Sequence, residues 1–108
     1  MNNLCNPRLM RANQEATTST VTIAAGAAGY IDTDCSAPLG TDVNKIWLVQ
    51  AICATSQLLG ARKTGDTDDP KITNTFAVFL CSLDSAGHLE FYRNATTDVN
   101  YKINGCFR

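Results

Sequence analysis

Two stretches of this chain are apolar on both sides if they are extended, and they limit what it can fold into. They are "KIWLVQAICA" (45–54) and "FAVFLCSL" (76–83). Side chains alternate between the faces of a strand. The first stretch then carries Ile46, Leu48 and Ile52 on one face, and Trp47, Val49, Ala51 and Cys53 on the other. The second sets Phe76, Val78 and Leu80 against Ala77, Phe79, Cys81 and Leu83. Enrichment in Val, Ile, Phe and Trp favours strand over a short buried helix. A strand in a free-standing sandwich keeps one wet face. Each of these strands therefore needs a cover on its second face: a loop, the N-terminal segment or another subunit. Two such strands in one small domain point to oligomerisation.

The rest of the chain from Thr18 onward also reads as β-structure. In "TSTVTIA", Val21 and Ile23 alternate with Thr20 and Thr22, as a half-buried strand requires. The small, glycine-broken "AAGAAG" leads into "YID", and a polar loop with Pro38 and Gly40 follows. "QLLGARK" offers a further strand before the charged loop "TGDTDDPK" (64–71). "VNYKING" closes the pattern with Val99, Tyr101 and Ile103 on one face and Asn100, Lys102 and Asn104 on the other. The expected fold is an all-β, antiparallel, jelly-roll-like β-sandwich of about seven to eight short strands, occupying residues 18–108. Residues 1–17 lack alternation, and Pro7 interrupts any early helix. They are read either as a loose tail or as an arm that orders on a partner, with Leu4, Leu9 and Met10 as its anchors.

Composition excludes several classes of function. At 108 residues there is room for one domain but not for a cleft between two lobes. A net charge of −1, with nine basic residues of which only Arg62 and Lys63 are adjacent, argues against nucleic acid as a partner. No apolar run reaches the length of a membrane helix or a secretory signal, so synthesis in the cytosol is expected. The five cysteines (Cys5, Cys35, Cys53, Cys81 and Cys106) include no C-x-x-C pair, and the single histidine cannot complete a zinc site. Reduced cysteines are expected, with Cys53 and Cys81 acting as small core hydrophobes.

Candidate sites are few. The only histidine, His88, follows Asp84 by four residues and precedes Glu90 by two. Hairpin geometry accounts for this grouping: "DSAG" is a turn between Leu80–Leu83 and Leu89–Tyr92, and Gly87 can supply a positive φ. His88 then faces outward at the start of the return strand. Ser82 and Ser85 lie nearby, but neither sits in a recognisable nucleophile turn. No catalytic residue and no cofactor are expected. "GDTDDP" gathers Asp66, Asp68 and Asp69, oxygen ligands of the kind Ca²⁺ takes, but without the EF-hand spacing; the residues leave open whether they hold a cation. Trp47 is expected in the core or at a partner contact. Tyr92, beside Arg93 and Asn94, is the better exposed candidate for a glycan contact, with Asp84 named as a second contact. Asn94-Ala95-Thr96 matches a glycosylation sequon by pattern alone.

Taken in order, "IWLVQAI", "GARKTGD", "FAVFLCSLD", "HLEFYRN" and "VNYKINGCF" (about 45–107) resemble the β-sandwich modules of phage virions, the jelly-roll-like modules of tail-fibre tips and small head-decoration proteins. The resemblance implies a virion protein that acts as a homotrimer, with each subunit's second sheet face buried in the assembly. The short lead before the domain fits a head-decoration (cement) protein better than a fibre tip, with the arm reaching across neighbouring subunits of the major capsid protein. The alternative is a tail-fibre-tip or lectin-like module that binds host cell-surface glycan through Asp84, Tyr92 and the 64–71 loop.

Overall fold

The computed structural model describes residues 15–107, and side chains within Ser19–Gly105. It holds seven strands: β1 (Glu15–Ile23), β2 (Gly29–Asp34), β3 (Ile46–Leu59), β4 (Ala61–Lys63), β5 (Ile72–Cys81), β6 (His88–Arg93) and β7 (Val99–Phe107). One helical turn, α1 (Ser36–Leu39), interrupts the polar loop after β2. β1 starts at Glu15, three residues before the alternation that begins at Thr18. No helix among the described residues is long and apolar enough to cross a membrane.

The strands form two antiparallel sheets, ordered β1-β7-β3-β5 and β2-β6-β4. Successive strands change sheet at every step, so the chain winds around the core and every ladder joins strands distant in sequence. An eight-stranded jelly roll carries four strands in each sheet. Here the order is that of a jelly roll lacking one strand, next to β4 at the edge of the smaller sheet, where the chain instead makes the loop 64–71.

β3 is unusually long because it turns a corner. Its ladder is irregular between Ile52 and Gln57, and after Leu59 the chain passes through Gly60 into β4 of the other sheet. A side chain at Gly60 would put its Cβ 2.8 Å from the Tyr30 hydroxyl, so the corner needs glycine. The corner is also pinned. Tyr101, fully buried on β7, accepts the Gly60 N–H at 3.3 Å and donates to the Tyr92 carbonyl at 2.8 Å, while the Tyr92 N–H donates to the Gly60 carbonyl at 2.8 Å. One hydroxyl thus ties the middle of one sheet to the middle of the other.

The core lies between the sheets, and it decides which face of each doubly apolar strand turns inward. Trp47, Val49 and Ala51 are fully buried, with Ala77, Phe79 and Cys81 of β5 and Val99, Tyr101 and Ile103 of β7 beside them and Leu89 and Phe91 of β6 opposite. Trp47 is therefore a core residue of the single chain and not an exposed partner contact. Its indole N–H is buried and finds no acceptor among the described residues.

The other faces of β3 and β5 stay in water. Paired residues share a face, so Leu48 lies beside Leu80, Gln50 beside Val78 and Ile52 beside Phe76. Phe76 and Val78 are each 47% exposed and Leu80 63%, with Ile46 and Ile52 exposed nearby. Across the same face, β7 and β1 present Asn100, Lys102 and Asn104 against Thr20 and Thr22. The outer face is thus split into an apolar half on β3–β5 and a polar half on β7–β1. No described segment covers the apolar half.

Candidate functional site

Three features could carry function: the outer face of the smaller sheet, the hollow between the edges of β4 and β5, and the apolar half-face just described.

The outer face of the smaller sheet gathers most of the polar side chains singled out in the sequence. Register sets Tyr30 beside Tyr92, Asp32 beside Glu90, Asp34 beside His88, and Arg62 beside Glu90 from the other side. Arg62 Nε donates to Glu90 Oε1 at 2.7 Å, and its guanidinium lies 3.7 Å from the centre of the Tyr30 ring. Arg62 also donates to the Asp68 carbonyl, which fastens the 64–71 loop onto the sheet. Tyr30 packs edge-on against Tyr92 with ring centres 5.2 Å apart, and Lys71 covers the other ring at 4.9 Å. Tyr92, expected as an exposed ring, is consequently 9% exposed and offers no free face to a sugar.

His88 finds its carboxylates on β2, not within its own turn. Its Nδ1 lies 3.0 Å from Asp32 Oδ2, and its Nε2 lies 3.7 Å from Asp34 Oδ1. The hydrogen bond with Asp32 raises the His88 pKa above its ordinary value. Asp32 is held low in turn, first by the Thr64 hydroxyl at 2.7 Å and then by His88. Asp84 does not reach the ring. Its carboxylate accepts the backbone N–H groups of Ala86 at 3.0 Å and His88 at 2.7 Å, closing the turn, and Gly87 sits there at φ 82°. The turn expected at "DSAG" is present and Asp84 is part of it, but the hairpin is not: β5 and β6 lie in different sheets and do not pair, so the turn carries the chain from one sheet to the other.

This cluster lacks the order that nucleophilic catalysis needs. The Ser36 hydroxyl donates to Asp34 Oδ1 at 2.6 Å and the Thr64 hydroxyl to Asp32 Oδ1 at 2.7 Å, so a carboxylate stands between each hydroxyl and the imidazole. A base must touch the proton it removes. Here His88 touches carboxylates, which favour its charged form, and Ser36 and Thr64 donate to those carboxylates and not to the imidazole. Ser36 and its backbone N–H hold Asp34 low as well. The network is a set of ion pairs that pins β2, β4 and β6 together.

The remaining sequence candidates are dispersed. Asp69 accepts from the Tyr30 hydroxyl at 3.1 Å and pairs with Lys71 at 3.3 Å, whereas Asp66 and Asp68 turn toward β5. Among the described residues no three His, Cys, Asp or Glu side chains converge as metal ligands do. Cys35 and Cys81 are buried free thiols, and burial pushes their pKa up to about 11 and about 12 respectively. Asn94 of the sequon donates its side-chain amide to the Leu58 carbonyl. Leu4, Leu9 and Met10 lie outside the described residues.

The sequence did not reveal the hollow. It has a volume of about 490 Å³ and opens between β4 and the edge of residues 78–82 that no described strand pairs, with Asp66, Asp68 and Pro70 at its lip. β4 and β5 are adjacent in the chain yet end on different sheets, so only the strand order brings their edges to one opening. Comparison of the chain with protein-family models, curated proteins and solved structures finds no match.

Proposed function

We propose that this is a structural protein of a virion, a head-decoration (cement) protein that works by association and not by chemistry. The observation that carries this reading is the apolar half-face of β3 and β5. Ile46, Ile52, Phe76, Val78 and Leu80 are large side chains exposed together on one sheet face, beside half-buried Leu48. Single exposed apolar residues are ordinary, whereas a contiguous patch across two strands marks an interface. β5 is also an edge strand, and no charge or proline interrupts its ten residues. Natural edges that stay free in solution are blunted by such residues.

Copies of the chain associate through this half-face in the proposed assembly, as a homotrimer, while the polar half on β7–β1 stays wet. Binding to neighbouring subunits of the capsid then stabilises the shell by mass action, because the protein binds the assembled lattice. The ordering of the 45–107 segments, similar to phage-virion modules, supports the virion context. The ion-paired state of His88 and the covered ring of Tyr92 favour association over catalysis or glycan stacking.

The test is the solution mass of the full chain by light scattering over a range of concentrations, together with co-sedimentation on assembled capsid shells. A trimer that Leu80→Lys dissociates, and that pellets with shells, is the expected result. A monomer at high concentration would overturn the assembly reading, and a stable trimer that ignores shells would overturn the capsid partner.

A further inference from the structure

We propose that Lys102 of one copy meets Asp66 and Asp68 of the next, so that the axis relating associated copies runs parallel to β3 and β5. The proposal rests on the association through the apolar half-face argued above, and it names the register of that contact.

The charges that flank the half-face carry it. Register places Lys102 beside Gln50, and Gln50 beside Val78, in one row across the sheet. Paired residues share a face, so Lys102 stands at the β7 margin of the apolar half, two strand spacings or about 10 Å from Val78. At the opposite margin, Val78 and Leu80 line the hollow together with Asp66 and Asp68. Arg62 is held there by Glu90, and Asp69 by Lys71. Lys102, Asp66 and Asp68 make no ion pair among the described side chains. Lys63 also lines the hollow, which leaves that margin with two carboxylates against one ammonium. The half-face is thus apolar in the middle, basic on one side and acidic on the other.

Size brings both margins into the contact. A stable interface takes about 800 Å² and about 20–30 residues from each partner. Ile46, Leu48, Ile52, Phe76, Val78 and Leu80 are six, so a contact centred on them extends past both sides of the apolar half. Symmetry then decides which charges meet. An axis across the strands sets each margin on its own counterpart, Lys102 on Lys102 and aspartate on aspartate. An axis along the strands sets the β7 margin of one copy on the β5 margin of the next, and opposite charges meet. That holds for a twofold axis and for the threefold axis of the proposed trimer alike. Like charges brought together oppose a contact, whereas opposite charges at its solvated rim select a register. The six apolar residues suit either axis, so the flanking charges choose.

The experiment is the mass of the full chain over a dilution series, read as the concentration at which half of the protein has dissociated. Lys102→Glu is expected to raise that concentration about tenfold, and Asp66→Lys with Asp68→Lys at least as much. All three substitutions together should return it to within about threefold of the unmodified chain, because the contact is rebuilt with its signs exchanged. Arg93→Glu changes net charge as Lys102→Glu does, but on the other sheet, and should leave the dilution curve unmoved. The milder cycle of Lys102→Gln against Asp66→Asn with Asp68→Asn should show the same coupling, and it serves where a reversal disturbs the fold. An unmodified chain that stays monomeric at every concentration would overturn the association, and this register with it. Association that ignores the reversals, falls equally with Arg93→Glu or is not recovered in the triple variant would overturn the register and leave the association standing.

Discussion

Tyr101→Phe should cost far more than the loss of one oxygen atom suggests. The ring is fully buried against Phe91, and the phenylalanine ring keeps that packing. What goes is the hydroxyl that accepts the Gly60 N–H and donates to the Tyr92 carbonyl, both in the interior. A buried group left without a partner costs about 1–3 kcal/mol. The N–H of Gly60 is the more exposed to that loss, because it sits at the corner where β3 passes into β4. A total near 2–3 kcal/mol is expected, which for a domain of this size lowers Tm by roughly 10–20 °C. Chemical denaturation with matched m-values measures it. Alkaline pH supplies a second readout. Burial pushes the Tyr101 pKa up to about 12, so an unfolded chain gives up this proton near pH 10 before the folded chain does. The folded state then binds more protons, and stability falls as pH rises from about 10 toward 12. Cys35 and Cys81 act in the same direction, but they do so in both proteins, so the difference between wild type and Tyr101→Phe should shrink over that window. A change in stability below 0.5 kcal/mol with no pH-dependent difference would refute the claim that this hydroxyl joins the sheets.

His88 is the only histidine, so its ring signals in an NMR titration are unambiguous; they should titrate above the ordinary value and return toward it in Asp32→Asn. The raised value means that the pair's contribution to stability is complete below about pH 6.5 and is lost as pH rises through the folded value. Asp32→Asn should therefore flatten the stability profile there, and an unchanged profile would contradict the pairing. Trp47→Phe should fall within about 1 kcal/mol of wild type in denaturant melts, because the indole N–H has no described acceptor to lose, whereas Trp47→Ala should cost about 3–5 kcal/mol. Gly87→Ala should destabilise by about 2–3 kcal/mol, since it forces a side chain to a positive φ and sets its Cβ 2.5 Å from the Gly40 carbonyl. A near-neutral result in a thermal melt would place the strain elsewhere.

Much of the candidate chemistry in the sequence dissolves for one reason: nearness along the chain is a poor guide to contact across a sheet. Asp84 and Glu90 flank His88 in sequence, yet neither carboxylate meets the imidazole; Asp84 turns back to the backbone of its own turn and Glu90 goes to Arg62. The true partner, Asp32, is fifty-six residues away and arrives through the β2–β6 register. Tyr92 looked exposed because its strand faces outward. It is covered by Tyr30 and by Lys71 from the loop 64–71, and no local pattern announces that loop's path.

What the sequence by itself determined is the part of the fold that obeys a period of two. Alternation in "VNYKING" and "TSTVTI", turn residues at "DSAG" and the composition of the two apolar stretches are local, so they mark strands and the β-class wherever the chain goes. The same alternation named both faces of β3 and β5 correctly but could not say which would be dry. Only the tertiary structure decided that, because a core is made by bringing distant strands together, and Trp47 and Phe79 turned inward toward Leu89 and Phe91 of the other sheet. The apolar face left in water and the opening beside β4 exist only once the strand order is set. Strand order is a property of contacts between residues far apart in the chain, which no short window of sequence contains.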